Sequence, residues 1–226
     1  MSLSGFSSPE ARLVPRALCP LIAWGRLLPL LFALLCGCAA LPEWRFDAAQ
    51  VPSLQYDGRV YTVGDARAQV QTPDLLALND EMREFVALHT SHSSNSRNRL
   101  LALHSAIKSP GILDMQYDPY AEGDARTVFA RGRANCLSYA HLFVAMARES
   151  GLDARYQWME IRPEWQRIGE RVAVRLHVNV HVRAGGEEYV IDIDPLNRHD
   201  VAGTRQISDR DARALFHNNN AMMALA

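Results

Sequence analysis

The chain has 226 residues, 48% of them apolar and 22% charged, which suits one ordinary folded core and excludes a disordered tail or a collagen-like repeat. Twenty-four basic against 25 acidic residues give a formal net charge of -1, with no positive surplus to neutralise phosphates, so a nucleic-acid partner is not expected.

Residues 1–37 are written differently from the rest. Arg12, Arg16 and Arg26 precede the apolar run Leu27 to Leu35, the layout of an export signal. Even the wider stretch Leu18 to Leu41 is interrupted by Pro20, Arg26 and Pro29, and its clean part falls well short of the roughly 20 residues a membrane span needs. The run closes on Leu35-Cys36-Gly37-Cys38, which resembles a bacterial lipoprotein signal. The resemblance implies cleavage after Gly37, lipid on Cys38 and a membrane attachment in the cell envelope. Because Ala39 is not acidic, the expected site is the periplasmic side of the outer membrane. Cleavage removes three arginines and one glutamate and leaves 189 residues, one domain's worth, with 21 basic and 24 acidic side chains. Of four cysteines, Cys19 and Cys36 leave with the signal and Cys38 takes lipid, so Cys136 is the free thiol and no internal disulfide can form. An unpaired thiol in an oxidising compartment is a hazard unless it is buried or used.

Residues 38–57, with prolines and mixed polarity, read as a tether; a domain over 58–206 follows, and then a C-terminal helix over 207–226. A short strand is expected at Arg59 to Val63. A helix over Leu75 to Leu88 follows the start signal Thr72-Pro73-Asp74, and a second runs from Arg97 to Ile107 before Ser109-Pro110-Gly111. His89 and His92 flank the polar loop between these helices and read as solvated side chains. A short helix ends near Phe129, with a turn at Arg131-Gly132-Arg133. The strongest helical pattern comes next: Asn135 is a good N-cap, Leu137, Ala140, Phe143, Val144 and Ala147 share a face, and Gly151 stands where a left-handed cap belongs. Cys136 is thereby the first helical residue, where free backbone N–H groups and the helix dipole favour a thiolate nucleophile.

Arg171 to Arg183 alternates, with valines and Leu176 on one face and Arg175, His177, Asn179 and His181 on the other, as in a half-buried strand. Gly185-Gly186 turns the chain into a returning strand through Ile193. A two-residue turn sets Ala184 opposite Glu187 and matches Val182 with Tyr189, Val180 with Ile191 and Val178 with Ile193. It also sets His177 opposite Asp194, about 5 Å apart at Cβ. A three-residue loop would oppose valines to charges. A four-residue loop would move the acid facing His177 to Asp192, and His181 is the rival histidine. Histidines four apart on a strand lie about 13 Å apart, too far to share one zinc. No metal or cofactor is expected.

A cysteine at a helix start, a histidine on a strand and an aspartate on the next strand resemble the transglutaminase-like superfamily of papain-type thiol enzymes. The nucleophile block is Gly132-Arg133-Ala134-Asn135-Cys136-Leu137-Ser138-Tyr139-Ala140. The histidine block is His177-Val178-Asn179-Val180-His181-Val182, and Asp194-Pro195 resembles the acid block. The resemblance implies an α+β fold, with a nucleophile helix packed on an antiparallel sheet. It also implies a Cys136, His177, Asp194 triad acting by acyl transfer on a protein or peptide. Two departures, Leu137 and Ser138 where a tryptophan often follows the cysteine and Asn179 in place of an aromatic, favour peptidase or amidase hydrolysis over cross-linking. The alternative is a binding domain that keeps the fold without turnover. Ala212 to Ala221 resembles the opening helix of a tetratricopeptide array, although one such helix cannot bury its own face.

Overall fold

The computed structural model describes residues 48–163, 165–168, 171–174, 176–195 and 200–225. Cys38 and the whole export segment lie outside the described residues. The chain divides into two compact units, Met1–Ala66 and Arg67–Ala226.

In the first unit a 3-10 turn, Ala48–Gln50, leads to a hairpin of β1 (Leu54–Tyr56) and β2 (Arg59–Tyr61). The turn residues Asp57 and Gly58 both have positive φ, 48° and 70°, the geometry of a tight two-residue hairpin turn. The tether expected up to residue 57 therefore already contains a strand. The helix α1 (Val63–Gln69) begins with a reciprocal cap: Asp65 N–H donates to Thr62 Oγ1, and Thr62 N–H donates to the Asp65 carboxylate.

The next helix, α2 (Asp80–Thr90), starts later than Thr72-Pro73-Asp74 suggested. Asn79 is the cap and accepts from Met82 N–H at 2.9 Å, while the Leu75 carbonyl is taken by Ala125 N–H. Asn95 caps α3 (Ser96–Lys108), and a short β3 (Gln116–Tyr117) follows. Asp124 caps α4 (Ala125–Arg131), which Gly132 ends with φ 67°. The two-residue β4 (Arg133–Ala134) pairs in parallel with β3 and delivers the chain to α5 (Cys136–Glu149).

Every residue of α5 from Leu137 to Ala147 is buried, so the helix is enclosed on all sides and not merely along one stripe. It packs on a four-stranded antiparallel sheet of β5 (Asp153–Ile161), β8 (His177–Ala184), β9 (Glu187–Ile191) and β10 (Val201–Ile207), in the order β10-β5-β8-β9. The expected strand Arg171 to Arg183 is two strands, because Arg171–Val174 (β7) pairs with Trp165–Ile168 (β6) in a hairpin of its own. β8 is also buried on both faces: Val178, Val180 and Val182 on one side, and His177, Asn179 and His181 on the other. The β8–β9 register is the two-residue-turn register, with Ala184 opposite Glu187 and Val180 opposite Ile191. Gly185 and Gly186 take φ of 62° and 83°, which only glycine adopts freely at both turn positions.

The C-terminal helix α6 (Asp209–Leu225) spends its apolar face inside this domain. Ala212 and Phe216 are buried in the common core, and Arg148 of α5 grips Asp209 with two bonds of 2.7 and 2.9 Å.

Candidate active site

Cys136 stands at the first turn of α5, on a helix end held from three sides. Asn135 Oδ1 accepts from Ser138 N–H at 2.8 Å, a cap worth about 1 kcal/mol. Glu122, from the loop before α4, then accepts from Asn135 Nδ2 (2.9 Å), from the Ser138 hydroxyl (2.6 Å) and from Asn219 Nδ2 of α6 (2.9 Å). The cap thus cannot swing without breaking a charge-assisted cluster. Glu122 and Asn219 carry no sequence signal, since they lie 97 residues apart and meet only through the packing of α6. Cys136 is partly exposed and is the free cysteine among the described residues.

His177 opens β8 and is 1% exposed. Its Nε2 lies 2.7 Å from Asp192 Oδ2, and its Nδ1 is buried without a hydrogen-bond partner. Burial alone would push this imidazole down. The hydrogen bond and charge of Asp192, with the favourable influence of the Cys136 sulfur, overcome it and raise the group to about 9. The influence of Cys136 on the ring brings sulfur and imidazole into one site.

The acid is a correction to the sequence reading. The two-residue turn is present, yet Asp192 and not Asp194 meets His177. The paired part of β9 ends at Ile191, and the chain bends at Ile193 and Asp194 before Pro195, so the position nominally opposite His177 has left the ladder. Asp192, the first residue beyond the paired part of β9, reaches His177 across the diagonal, a separation side chains of this length can span. Asp194 contributes from its backbone, where its N–H donates to Asp192 Oδ1 at 3.1 Å. Asn179 Nδ2 adds a third donor, 3.3 Å from Asp192 Oδ2, and also touches Met159 Sδ at 3.1 Å.

His181 is 6% exposed, with Nδ1 3.3 Å from Gln206 Nε2 and Nε2 3.5 Å from the exposed Glu188 carboxylate. It is not brought to Cys136. Tyr139, one turn along α5 from Cys136, is buried with its hydroxyl unpartnered, and both burial and the charge of Asp192 raise its pKa. Beside Asp192 lies a cleft of about 510 Å³, walled by His104, Met159, Asn179, Val190, Pro195 and Val201 together with the acid itself.

Residues 83–194 match the family model of the transglutaminase-like superfamily, a span that holds Cys136, His177 and Asp192. No curated protein is significantly similar to the chain. Among solved structures, a candidate protease from Parabacteroides distasonis is 16% identical over 51% of this chain and 23% of its own, with a TM-score of 0.38. A candidate cysteine protease from Cytophaga hutchinsonii is 15% identical over 62% of this chain and 49% of its own, with a TM-score of 0.41. The chain spans less than half the length of either.

Proposed function

We propose that this chain, a member of the transglutaminase-like superfamily with the α+β fold of that superfamily over residues 83–194, is a thiol hydrolase that cleaves an amide in a protein or peptide. The observation that carries the reading is the buried His177, bonded to Asp192 on one nitrogen and influenced by Cys136. The Cys136 sulfur attacks the amide carbonyl to form a carbon–sulfur bond, and the carbonyl electrons move to oxygen. The first-turn N–H groups of Cys136 and Leu137 are free of the helix ladder and suit that oxyanion. His177, protonated in the neutral range, gives its proton to the nitrogen as the carbon–nitrogen bond breaks and an amine leaves. Water then attacks the thioester, His177 takes its proton, and carboxylate and thiol are released. Asp192 keeps Nε2–H directed at itself and leaves Nδ1 to exchange protons with the sulfur and the substrate.

The test is trapping of Cys136 by an acylating amide mimic, followed by release of product. Single-turnover acylation that needs His177 supports the reading. Binding of peptides without any His177-dependent acylation would instead mean a recognition domain.

The envelope location belongs to the same proposal. A lipid on Cys38 would hold the domain at the membrane surface, close to exported substrates. Mass spectrometry of the mature N-terminus in the native host decides it: an unmodified Cys38 still joined to Gly37 would sink the anchor.

A further inference from the structure

The cleft beside Asp192 carries a second kind of information, about what the site accepts. Met159, Val190 and Val201 give it apolar walls. Asp192, the one carboxylate among the described residues that line it, is already bonded to His177, Asn179 and the Asp194 N–H. His104 is pushed down from its ordinary value by burial and by the charge of Lys108, so it supplies no cation in the neutral range. Among the described residues, a charged side chain entering here would lose water and find no free counter-ion, a cost that an apolar one avoids. About 510 Å³ lies inside the usual range of small-ligand clefts and has room for a large side chain with flanking backbone.

Asn179 adds a polar requirement. It is 2% exposed, and its Nδ2 is committed to Asp192 and Met159. The amide cannot be reversed, because Oδ1 would then face the Asp192 oxygen at 3.3 Å, acceptor against acceptor. Oδ1 is therefore the free end, and it is buried without a partner. A buried unpaired acceptor is costly, and a ligand N–H would relieve it.

We infer that this cleft is the subsite for an uncharged, apolar side chain of a peptide substrate, and that Asn179 Oδ1 accepts an N–H from the same residue. The inference rests on the acyl-transfer reading and names the substrate class for it. Dipeptidyl vinyl sulfones carrying Leu, Phe, Glu or Lys at either residue before the electrophile test it, with the rate of Cys136 modification as the readout. At one position Leu and Phe react at least about 10-fold faster than Glu and Lys, the order expected when a charge must be buried unpaired. Val190→Glu, at a wall position that is 57% exposed, raises the Lys probe relative to Leu. N-methylation of the selected residue slows the wild type several-fold and leaves Asn179→Leu unchanged, because the ratio is taken within each variant. Equal rates for all four side chains at both positions, or an unaltered ratio of Lys to Leu in Val190→Glu, overturns the subsite. Iodoacetamide, which has no side chain to place, examines the underlying reading separately: modification as fast in His177→Gln as in wild type overturns acyl transfer, whereas the side-chain series alone decides the subsite.

Discussion

Two buried histidines, His141 in the middle of α5 and His177 at the start of β8, have opposite fates. His141 is fully buried, with Nδ1 2.7 Å from the Tyr156 hydroxyl and its ring packed against Tyr156 and Phe216. Burial lowers it to about 4, and the distant charges of Asp124 and Asp209 only oppose the fall. His177 is as deeply buried, and burial again acts downward, yet it rises to about 9. A carboxylate in direct hydrogen-bond contact, with the Cys136 sulfur beside it, makes the difference; a phenol in the same role does not reverse the desolvation. One imidazole is a neutral packing group between helix and sheet, and the other carries a proton at neutral pH beside a sulfur. Burial alone is thus no guide to which histidine holds a proton at neutral pH.

The largest expected effect breaks the comparison outright. Cys136→Ala abolishes covalent trapping by an acylating probe, and His177→Gln slows trapping by on the order of 100-fold or more, the usual scale for losing a general acid–base group. His141→Gln, at an equally buried site, changes the trapping rate by less than about 3-fold once the folded fraction is matched, because that ring serves packing. Equal losses in His141→Gln and His177→Gln would show that both act only through the fold.

The acid comes next. Asp192→Asn replaces an acceptor on His177 by an amide and should slow trapping by roughly 100-fold, through misorientation of the ring. Asp194→Asn keeps the backbone N–H that Asp194 gives to Asp192, and its effect should stay below about 10-fold. A larger loss in Asp194→Asn would restore the directly opposed pair and would require β9 to stay paired beyond Ile191.

Proton linkage turns the contrast between the histidines into two limbs of one stability curve. The folded value of His177 lies above 6.5, so its stabilisation is complete below about pH 6.5 and is lost as pH rises toward 9. The folded value of His141 lies below 6.5, so its neutral form supports the fold above pH 6.5, and that support is lost as pH falls toward 4. Each limb is worth about 3 kcal/mol at the conversion of 1.36 kcal/mol per unit. Urea melts from pH 4 to 9.5 should show the alkaline slope flattened in His177→Gln and the acid slope reduced in His141→Gln. The reverse assignment would sink the electrostatic account of both.

How much of this was legible in the sequence depended on how local each determinant is. Asn135 as a cap, Cys136 at the helix start and the Gly185-Gly186 turn are decided within a few residues, and the structure has each of them where the pattern placed it. The acid was not legible, because register fixes which residues oppose one another but not where the ladder stops, and the bend at Ile193 moved Asp194 away. The strands β5 and β10 went unread because their pairing joins residues some 40 to 50 positions apart, as in Ile161 with Val201 and Tyr156 with Ile207. Alternation along β8 reported side-chain polarity correctly and burial incorrectly, since the polar face is also enclosed. The brace from Glu122 to Asn219 follows from the docking of α6, which no local pattern encodes.

His181 sharpens the comparison at its smallest scale. It is buried like the other two, it has a carboxylate within reach, and yet its partner Glu188 is 66% exposed at 3.5 Å, so water screens the pair. A contact with so exposed a carboxylate contributes between about 0 and 1 kcal/mol, and the Gln206 contact, long at 3.3 Å, adds no more than an ordinary hydrogen bond. His181→Gln should therefore lower stability by about 1 kcal/mol and alter trapping of Cys136 by less than about 3-fold. The same substitution at His177, four residues away on the same face of β8, should remove trapping almost completely. Denaturant melts and trapping rates on the two variants at one pH measure the difference. A His181→Gln variant as impaired in trapping as His177→Gln would mean that the polar face of β8 acts as one network, and that the bond from His177 to Asp192 is not what sets the two histidines apart.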